Sequence, residues 1–204
     1  MRYRSYSQFS ETAVLAIIAI NLVLFIAEFF YPQIYLNLGL RPELWLERPW
    51  TILTSIFLHG YLGSDGGMSF SSIWHILFNM LALYFLGSYL NMIIGKRWFL
   101  GIYLVGGVIG SFLYIAMAPP NSIVVGASGA IFAVGGALAA LVPNMKVVLL
   151  LIPVPMPLWV AIIGGFIIIS FLPGVAWQAH LGGLITGLAA GYYLRKRGPR
   201  RIMF

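Results

Sequence analysis

Six apolar stretches along the sequence set the pattern of this chain. A helix needs roughly 20 apolar residues to cross the hydrocarbon core of a membrane, because it rises about 1.5 Å per residue. The pattern therefore predicts six membrane-spanning helices. The two shortest suit helices that stop below the membrane surface, beside a water-accessible cavity. The predicted spans cover residues 12–30, 73–92, 98–117, 128–141, 157–172 and 177–194.

The connection between the first two predicted spans, residues 32–72, is unusually long. It is rich in Trp, Leu and Pro, a composition that does not favour a flexible linker. We expect a structured outer loop that lies partly in the membrane interface. The sequence contains no repeats or low-complexity segments, so residues 1–204 are predicted to form one domain, an all-α six-helix membrane bundle.

Composition favours the same class of protein. Hydrophobic residues make up 61% of the 204 positions and charged residues only 8%, which leaves too little charge for the surface of a soluble domain. The chain has no cysteine, and this excludes disulfides, thiolate metal sites and a cysteine nucleophile. The net charge of +7 reflects basic residues at the ends of predicted spans, so the expected partner is the lipid bilayer rather than nucleic acid.

Basic residues also indicate how the chain is oriented. Ten of the twelve Lys and Arg residues lie on one side of the predicted spans, and only Arg41 and Arg48 lie on the other. Cytoplasmic loops carry an excess of Lys and Arg. We therefore predict a multi-pass protein of the cell membrane with both termini in the cytoplasm. In this topology the second, fourth and sixth spans all begin at the outer side.

Those three spans carry polar residues near their outer ends. His75 and Asn79 are four residues apart in the second span, and they therefore share one helix face. Ser128 begins the fourth span, and His180 lies one turn into the sixth. The four side chains are expected at one depth in the membrane, although the sequence separates them widely.

Small residues give the fourth and sixth spans a means to pack closely. Gly183 and Gly187 follow His180 at helical spacing, and Gly135 follows Ser128 by about two turns. Small residues let helix backbones approach each other in lipid, where packing drives association. Two parallel helices in contact through Gly135 and Gly187 would hold Ser128 and His180 at matching depth.

A serine and a histidine at one depth fit acyl-transfer chemistry. Neutral His180 would take the proton from Ser128 as the hydroxyl attacks an amide carbonyl. The backbone N–H of Ser128 and the side chains of Asn79 and His75 are the candidate donors to the oxyanion. None of the five acidic residues is placed to orient His180, so a Ser-His dyad is predicted. Phe132, one turn after Ser128, is expected to pack against the imidazole.

Three short motifs contain these polar residues. They are Gly126-Ala127-Ser128-Gly129, His75-Ile76-Leu77-Phe78-Asn79, and Ala179-His180-Leu181-Gly182-Gly183 followed by Gly187. In this order and topology, the motifs resemble those of the rhomboid family of intramembrane serine proteases. The segment from Arg48-Pro49-Trp50 to His59 is similar to that family's first-loop pattern, although Trp50-Thr51 replaces its common Trp-Arg pair.

The resemblance implies a six-span serine endopeptidase that cleaves transmembrane protein substrates near the outer face of the membrane. It implies no metal and no other cofactor, and it leaves the substrate and the oligomeric state open. Phe132 stands where some members carry a tyrosine. The residues that the resemblance assigns are Ser128 as nucleophile, His180 as general base, His75 and Asn79 at the oxyanion, Gly126, Gly129, Gly183 and Gly187 in the motifs, and Phe78 at a substrate gate.

Simpler explanations exist for each polar residue taken alone. A serine between small residues is typical of helix packing, and a membrane histidine or asparagine is typical of interhelical hydrogen bonds. His59 is expected to have a structural role, and Glu28 is assigned none. Two other functions stay open. One is a catalytically silent rhomboid-like protein that binds membrane helices, and the other is a small transporter that binds a polar solute near the midplane.

Overall fold

The computed structural model describes residues 11–63, 69–149 and 152–197. This part of the chain is mostly helical. Some of the charges used to predict the orientation lie outside the described residues, namely Arg2, Arg4, Asp65, Arg200 and Arg201.

Helices occupy all six of the predicted stretches. Three of them are long and apolar enough to cross a membrane: α1 (Thr12–Phe30), a composite helix over Ser71–Ile94, and α6 (Lys96–Met117). The chain is therefore a membrane protein. Three further helices follow: α7 (Ser128–Leu141), α8 (Leu158–Ser170) and the longer α9 (Trp177–Lys196). It stays a prediction that these three helices also cross the membrane.

The composite helix has an irregular centre. It consists of α4 (Ser71–Ala82), a π-helical turn (Leu83–Gly87) and α5 (Ser88–Ile94). Gly95 then ends it with a φ of 82°, a left-handed conformation that glycine adopts without steric cost. This residue lets the chain reverse directly into α6.

Short helical segments fill the connection between α1 and α4. They are α2 (Gln33–Leu38), α3 (Thr51–Thr54) and two 3₁₀ turns, Pro42–Leu44 and Ser55–Phe57. The hydroxyl of Thr54 donates a hydrogen bond of 2.7 Å to the Leu38 carbonyl, so side chains as well as backbone hold this segment together.

Two strands between α7 and α8 correct the prediction of an all-α fold. They are β1 (Lys146–Leu149) and β2 (Ile152–Pro157), and they pair antiparallel. Val147 and Val148 favour extended backbone because they are branched at Cβ. The prolines at 153, 155 and 157 remove backbone donors and prevent a helix. The helix that follows therefore begins only at Leu158.

Candidate active site

A polar contact between two long-separated helices links Ser128 to His180. The Oγ of Ser128 lies 2.7 Å from Nε2 of His180, although 52 residues separate them in the sequence. Ser128 is the first residue of α7, and His180 lies in the first turn of α9. The imidazole is 5% exposed. A neutral imidazole at this distance can accept the proton of a hydroxyl group.

Close backbone contact between α7 and α9 brings the two side chains together. A Cβ atom at Gly183 would overlap the carbonyl oxygen of Gly129, and one at Gly187 would overlap the carbonyl of Ala133. Only glycine permits this approach, because any side chain would have to enter the facing backbone. The two helices are therefore held at a fixed distance immediately below the serine and the histidine.

The expected role of Gly135 in this contact is wrong. A Cβ atom at Gly135 would meet the side chain of Ile162 on α8, so this glycine faces a different helix. Its place opposite α9 is taken by Ala133 and Ala137, which meet Gly187 and Gly191. Ser128 and His180 do lie side by side, but the contacts that align α7 with α9 differ from the Gly135–Gly187 contact that the residue spacing predicted.

Phe132 packs against the imidazole of His180. The two ring centroids are 4.7 Å apart, at an interplanar angle of 37°. Phe166 of α8 supports Phe132 from the other side in an edge-on contact of 5.8 Å. Nδ1 of His180 is buried and has no hydrogen-bond partner among the residues that the structure describes. Aromatic packing is thus the described contact that orients the ring.

Gly126 lies between Ser128 and His75, at a point where a side chain does not fit. Gly126 has a φ of 133°, which favours glycine. A Cβ atom here would lie 2.8 Å from Nε2 of His75 and 3.6 Å from Oγ of Ser128. A side chain would therefore collide with the imidazole of His75. Glycine allows this imidazole to lie close to the turn that carries Ser128.

Ser128 and Asn79 carry further hydrogen-bond donors. The N–H of Ser128 belongs to the first turn of α7, where helix geometry provides no carbonyl partner. The amide of Asn79 donates a hydrogen bond of 2.8 Å to the carbonyl of His75, and a primary amide keeps a second hydrogen. Asn79 is 7% exposed. The structure thus assigns one of the two Asn79 hydrogens to the carbonyl of its own helix.

Phe78 lies on the outside of α4. Its side chain is 49% exposed, and its ring is stacked on that of Trp74 with centroids 6.0 Å apart. The described contacts do not place Phe78 against the serine or the histidine. Its role at a substrate gate stays a prediction.

Two residues of greater structural importance than the sequence suggested are Glu28 and His59. Both side chains are fully buried. The carboxylate of Glu28 accepts hydrogen bonds from the backbone N–H groups of His59, at 3.0 Å, and of Gly60, at 3.1 Å. A buried carboxylate needs such hydrogen-bond partners. In the sequence, the one indication of this contact was the presence of a Glu within an apolar helix. The structural role expected for His59 agrees with these contacts.

His59 also reaches the serine motif. Its Nε2 accepts a hydrogen bond of 3.5 Å from the N–H of Ala127, the residue before Ser128. Its ring lies 5.0 Å from that of His75. Burial lowers the pKa of His59 well below its usual range, and the neighbouring His75 lowers it further. His59 is therefore neutral and keeps a lone pair for the Ala127 N–H.

Within residues 11–63, 69–149 and 152–197, no three His, Asp or Glu side chains are grouped so that they could hold a metal ion.

Comparison with known proteins shows which family the sequence matches. A family model described as "Rhomboid domain" matches residues 46–197. The chain is 33% identical over 154 residues to Rhomboid protein 1, mitochondrial, of Saccharomyces cerevisiae, a match that covers 64% of this chain and 41% of the yeast protein. It is 34% identical over 154 residues to RHOMBOID-like protein 4 of Arabidopsis thaliana, which covers 72% of this chain and 34% of the plant protein.

A bacterial relative is named as a protease. The chain is 35% identical over 153 residues to Rhomboid protease GluP of Bacillus subtilis, and the match covers 73% of this chain and 27% of that protein. The chain thus spans less than half the length of each of these three relatives.

Proposed function

Since the chain belongs to the rhomboid family of membrane proteins, we propose that it is a serine endopeptidase that cleaves peptide bonds of transmembrane helices. One observation carries the proposal: Oγ of half-buried Ser128 lies 2.7 Å from Nε2 of buried His180, between two helices of the membrane bundle. A packing serine needs no imidazole at that distance, and a structural histidine needs no serine at a helix N-terminus.

The reaction would follow the serine-hydrolase scheme with a dyad. Nε2 of His180 accepts the hydroxyl proton while Oγ of Ser128 bonds to the carbonyl carbon of the scissile peptide. The tetrahedral intermediate collapses, the C–N bond breaks, and His180 gives the proton to the leaving amine. A water molecule then attacks the acyl-serine, with His180 again as base, and the second product leaves as a carboxylic acid.

The oxyanion would lie between Ser128 and His75, which are both close to Gly126. Beside His75, the Ser128 N–H and the free hydrogen of the Asn79 amide would be the donors. Donors that are already in place stabilise the developing charge without reorganisation. The positive end of α7 adds to this effect, because its first N–H groups lack partners within the helix.

Substrate would enter from the membrane beside α4. In the described part of the chain, α8 packs chiefly against α7 and α9, and Phe78 is exposed on α4. A transmembrane helix that approaches here would have to unwind to present a peptide bond to Ser128. From the distribution of basic residues we infer that the site opens to the outer face and that both termini are cytoplasmic.

The test is cleavage of a transmembrane reporter by purified protein in liposomes, together with labelling by a fluorophosphonate. Wild type is expected to cleave and to be labelled at Ser128, and Ser128→Ala and His180→Ala to do neither. Ser170→Ala is the matched control, because the hydrogen bond described for this serine is to the Phe166 carbonyl of its own helix. Cleavage by Ser128→Ala would overturn the proposal. Helix binding by an unlabelled wild type would support a catalytically silent protein instead.

A further inference from the structure

A continuous set of hydrogen bonds leads from α1 to the residue before Ser128. It begins at the Glu28 carboxylate, which holds the backbone of His59 and Gly60. It continues through the His59 side chain, whose Nε2 accepts from the N–H of Ala127. The first loop is thereby connected to the turn that carries the serine.

The same turn has a second contact with the same loop. The N–H of Gly126 donates a hydrogen bond of 2.9 Å to the carbonyl of Ser55. Gly126 and Ala127 are therefore both held by residues 55–59, while Ser128 starts the helix. The side chain of Ala127 is fully buried, and a buried N–H without a partner would be costly.

We propose that His59 is a positioning residue for Ser128, which it serves by accepting the hydrogen bond of the Ala127 N–H, and that Glu28 sets the position of His59. This inference rests on the proposed function of the Ser128–His180 pair. His59 does not touch the reacting atoms. It acts through the Ala127 backbone, because a shift of this peptide would rotate the first residue of α7 and move Oγ away from His180.

Two substitutions of His59 separate this role from simple packing. His59→Phe keeps a planar ring but removes the acceptor, while His59→Gln places an amide oxygen near the former position of Nε2. A displacement of about 1 Å at a reacting group lowers the rate by roughly 100-fold. We therefore expect His59→Phe to lower kcat by about that factor with little change in KM, and His59→Gln to restore most of it.

A control and a direct measurement complete the experiment. Ser111→Ala removes another hydrogen bond to the first loop, the one to the Ile52 carbonyl, and is expected to leave kcat unchanged. Amide hydrogen exchange at Ala127 is expected to be faster in His59→Phe and close to wild type in His59→Gln. This measurement needs no enzymatic activity.

Glu28 is tested by a double-substitution cycle. Residues that act in one connected path show non-additive effects. Glu28→Gln is therefore expected to lower kcat and to speed Ala127 exchange, with little further loss when it is combined with His59→Phe. Fully additive losses would overturn the role of Glu28.

The outcomes distinguish this inference from the proposed function. Wild-type kcat in His59→Phe, or equal damage in His59→Phe and His59→Gln, would overturn the role of His59 and leave the proposed protease intact. If the wild type is inactive and unlabelled but Ala127 exchange still depends on His59, the proposed protease function would be overturned and the His59–Ala127 hydrogen bond would be supported. If His59→Phe does not fold, unchanged Ala127 exchange in Glu28→Gln would overturn the inference, and faster exchange would support it.

Discussion

His180 approaches the Ser128 hydroxyl through one ring nitrogen, at 2.7 Å, while its other ring nitrogen has no described hydrogen-bond partner. In a Ser-His-Asp triad a carboxylate would hold that second nitrogen. Here the contact that orients the ring is Phe132, with its centroid 4.7 Å away. In the proposed dyad, aromatic packing would therefore take the place of the carboxylate, and this makes the function of Phe132 testable.

Loss of the Phe132 ring is expected to reduce turnover more than it reduces substrate binding. Phe132→Leu keeps a large apolar side chain but removes the flat face that packs on His180, and we expect kcat to fall about ten-fold. A ring contact of this kind contributes roughly 0.5–1.5 kcal/mol. The upper end of that range corresponds to about a ten-fold change in rate. Phe132→Tyr retains the ring and is the matched control in steady-state assays. Equal activity of the Leu and Tyr variants would contradict this role.

Activity is expected to be lost as the pH falls, because catalysis requires neutral His180. The imidazolium form has no lone pair to accept the Ser128 proton. The rate of fluorophosphonate labelling should therefore be highest on the alkaline side and decline through the pKa of His180. A labelling rate that rises as the pH falls would contradict a histidine base, since the imidazolium form cannot accept a proton. Unfolding measured at each pH separates titration of the site from loss of structure.

Replacement of Asn79 is expected to lower kcat without a comparable effect on KM. One amide hydrogen of Asn79 is engaged by the His75 carbonyl, so only the other is available to an oxyanion. Removal of one such donor typically lowers kcat by about 10²–10³-fold. Asn79→Asp has nearly the same shape but no amide hydrogen, and the carboxylate would also repel the developing charge. Full activity in both Asn79→Asp and Asn79→Ala would remove Asn79 from the oxyanion site.

A methyl group at Gly187 is expected to destabilise the protein and to separate Ser128 from His180. The added Cβ would overlap the carbonyl of Ala133, so α7 and α9 would have to move apart. Overpacking of this kind costs roughly 1–3 kcal/mol. Gly164→Ala is the control, because a Cβ there meets nothing within 4 Å. Thermal unfolding in detergent measures both, and equal stability of the two variants would contradict the packing argument.

The positions of the helices could be predicted from the sequence because hydropathy is a local property. Each predicted span coincides with an observed helix to within two residues at either end. The residues between α7 and α8 were an exception. Their Val and Pro content favours extended backbone, but a run of apolar residues beside a predicted span gave no reason to expect two paired strands.

The sequence by itself determined which polar residues lie near the same ends of their helices, because depth follows from position along a helix and from chain direction. Only the tertiary structure decided which faces meet. Spacing paired Gly187 with Gly135, but the rotation of α7 turns Gly135 towards Ile162 and presents Ala133 to α9. Such a rotation is set by the fit of all neighbouring side chains at once, which no single helix encodes.

The tertiary structure also decided the connection from Glu28 through His59 to Ala127. These residues are 31 and 68 positions apart, and their types alone do not identify their partners. The sequence places a costly carboxylate in an apolar helix, and desolvation requires that it be satisfied. The folded loop decides that the partners are the N–H groups of His59 and Gly60, since backbone donors leave no trace in the pattern of side chains.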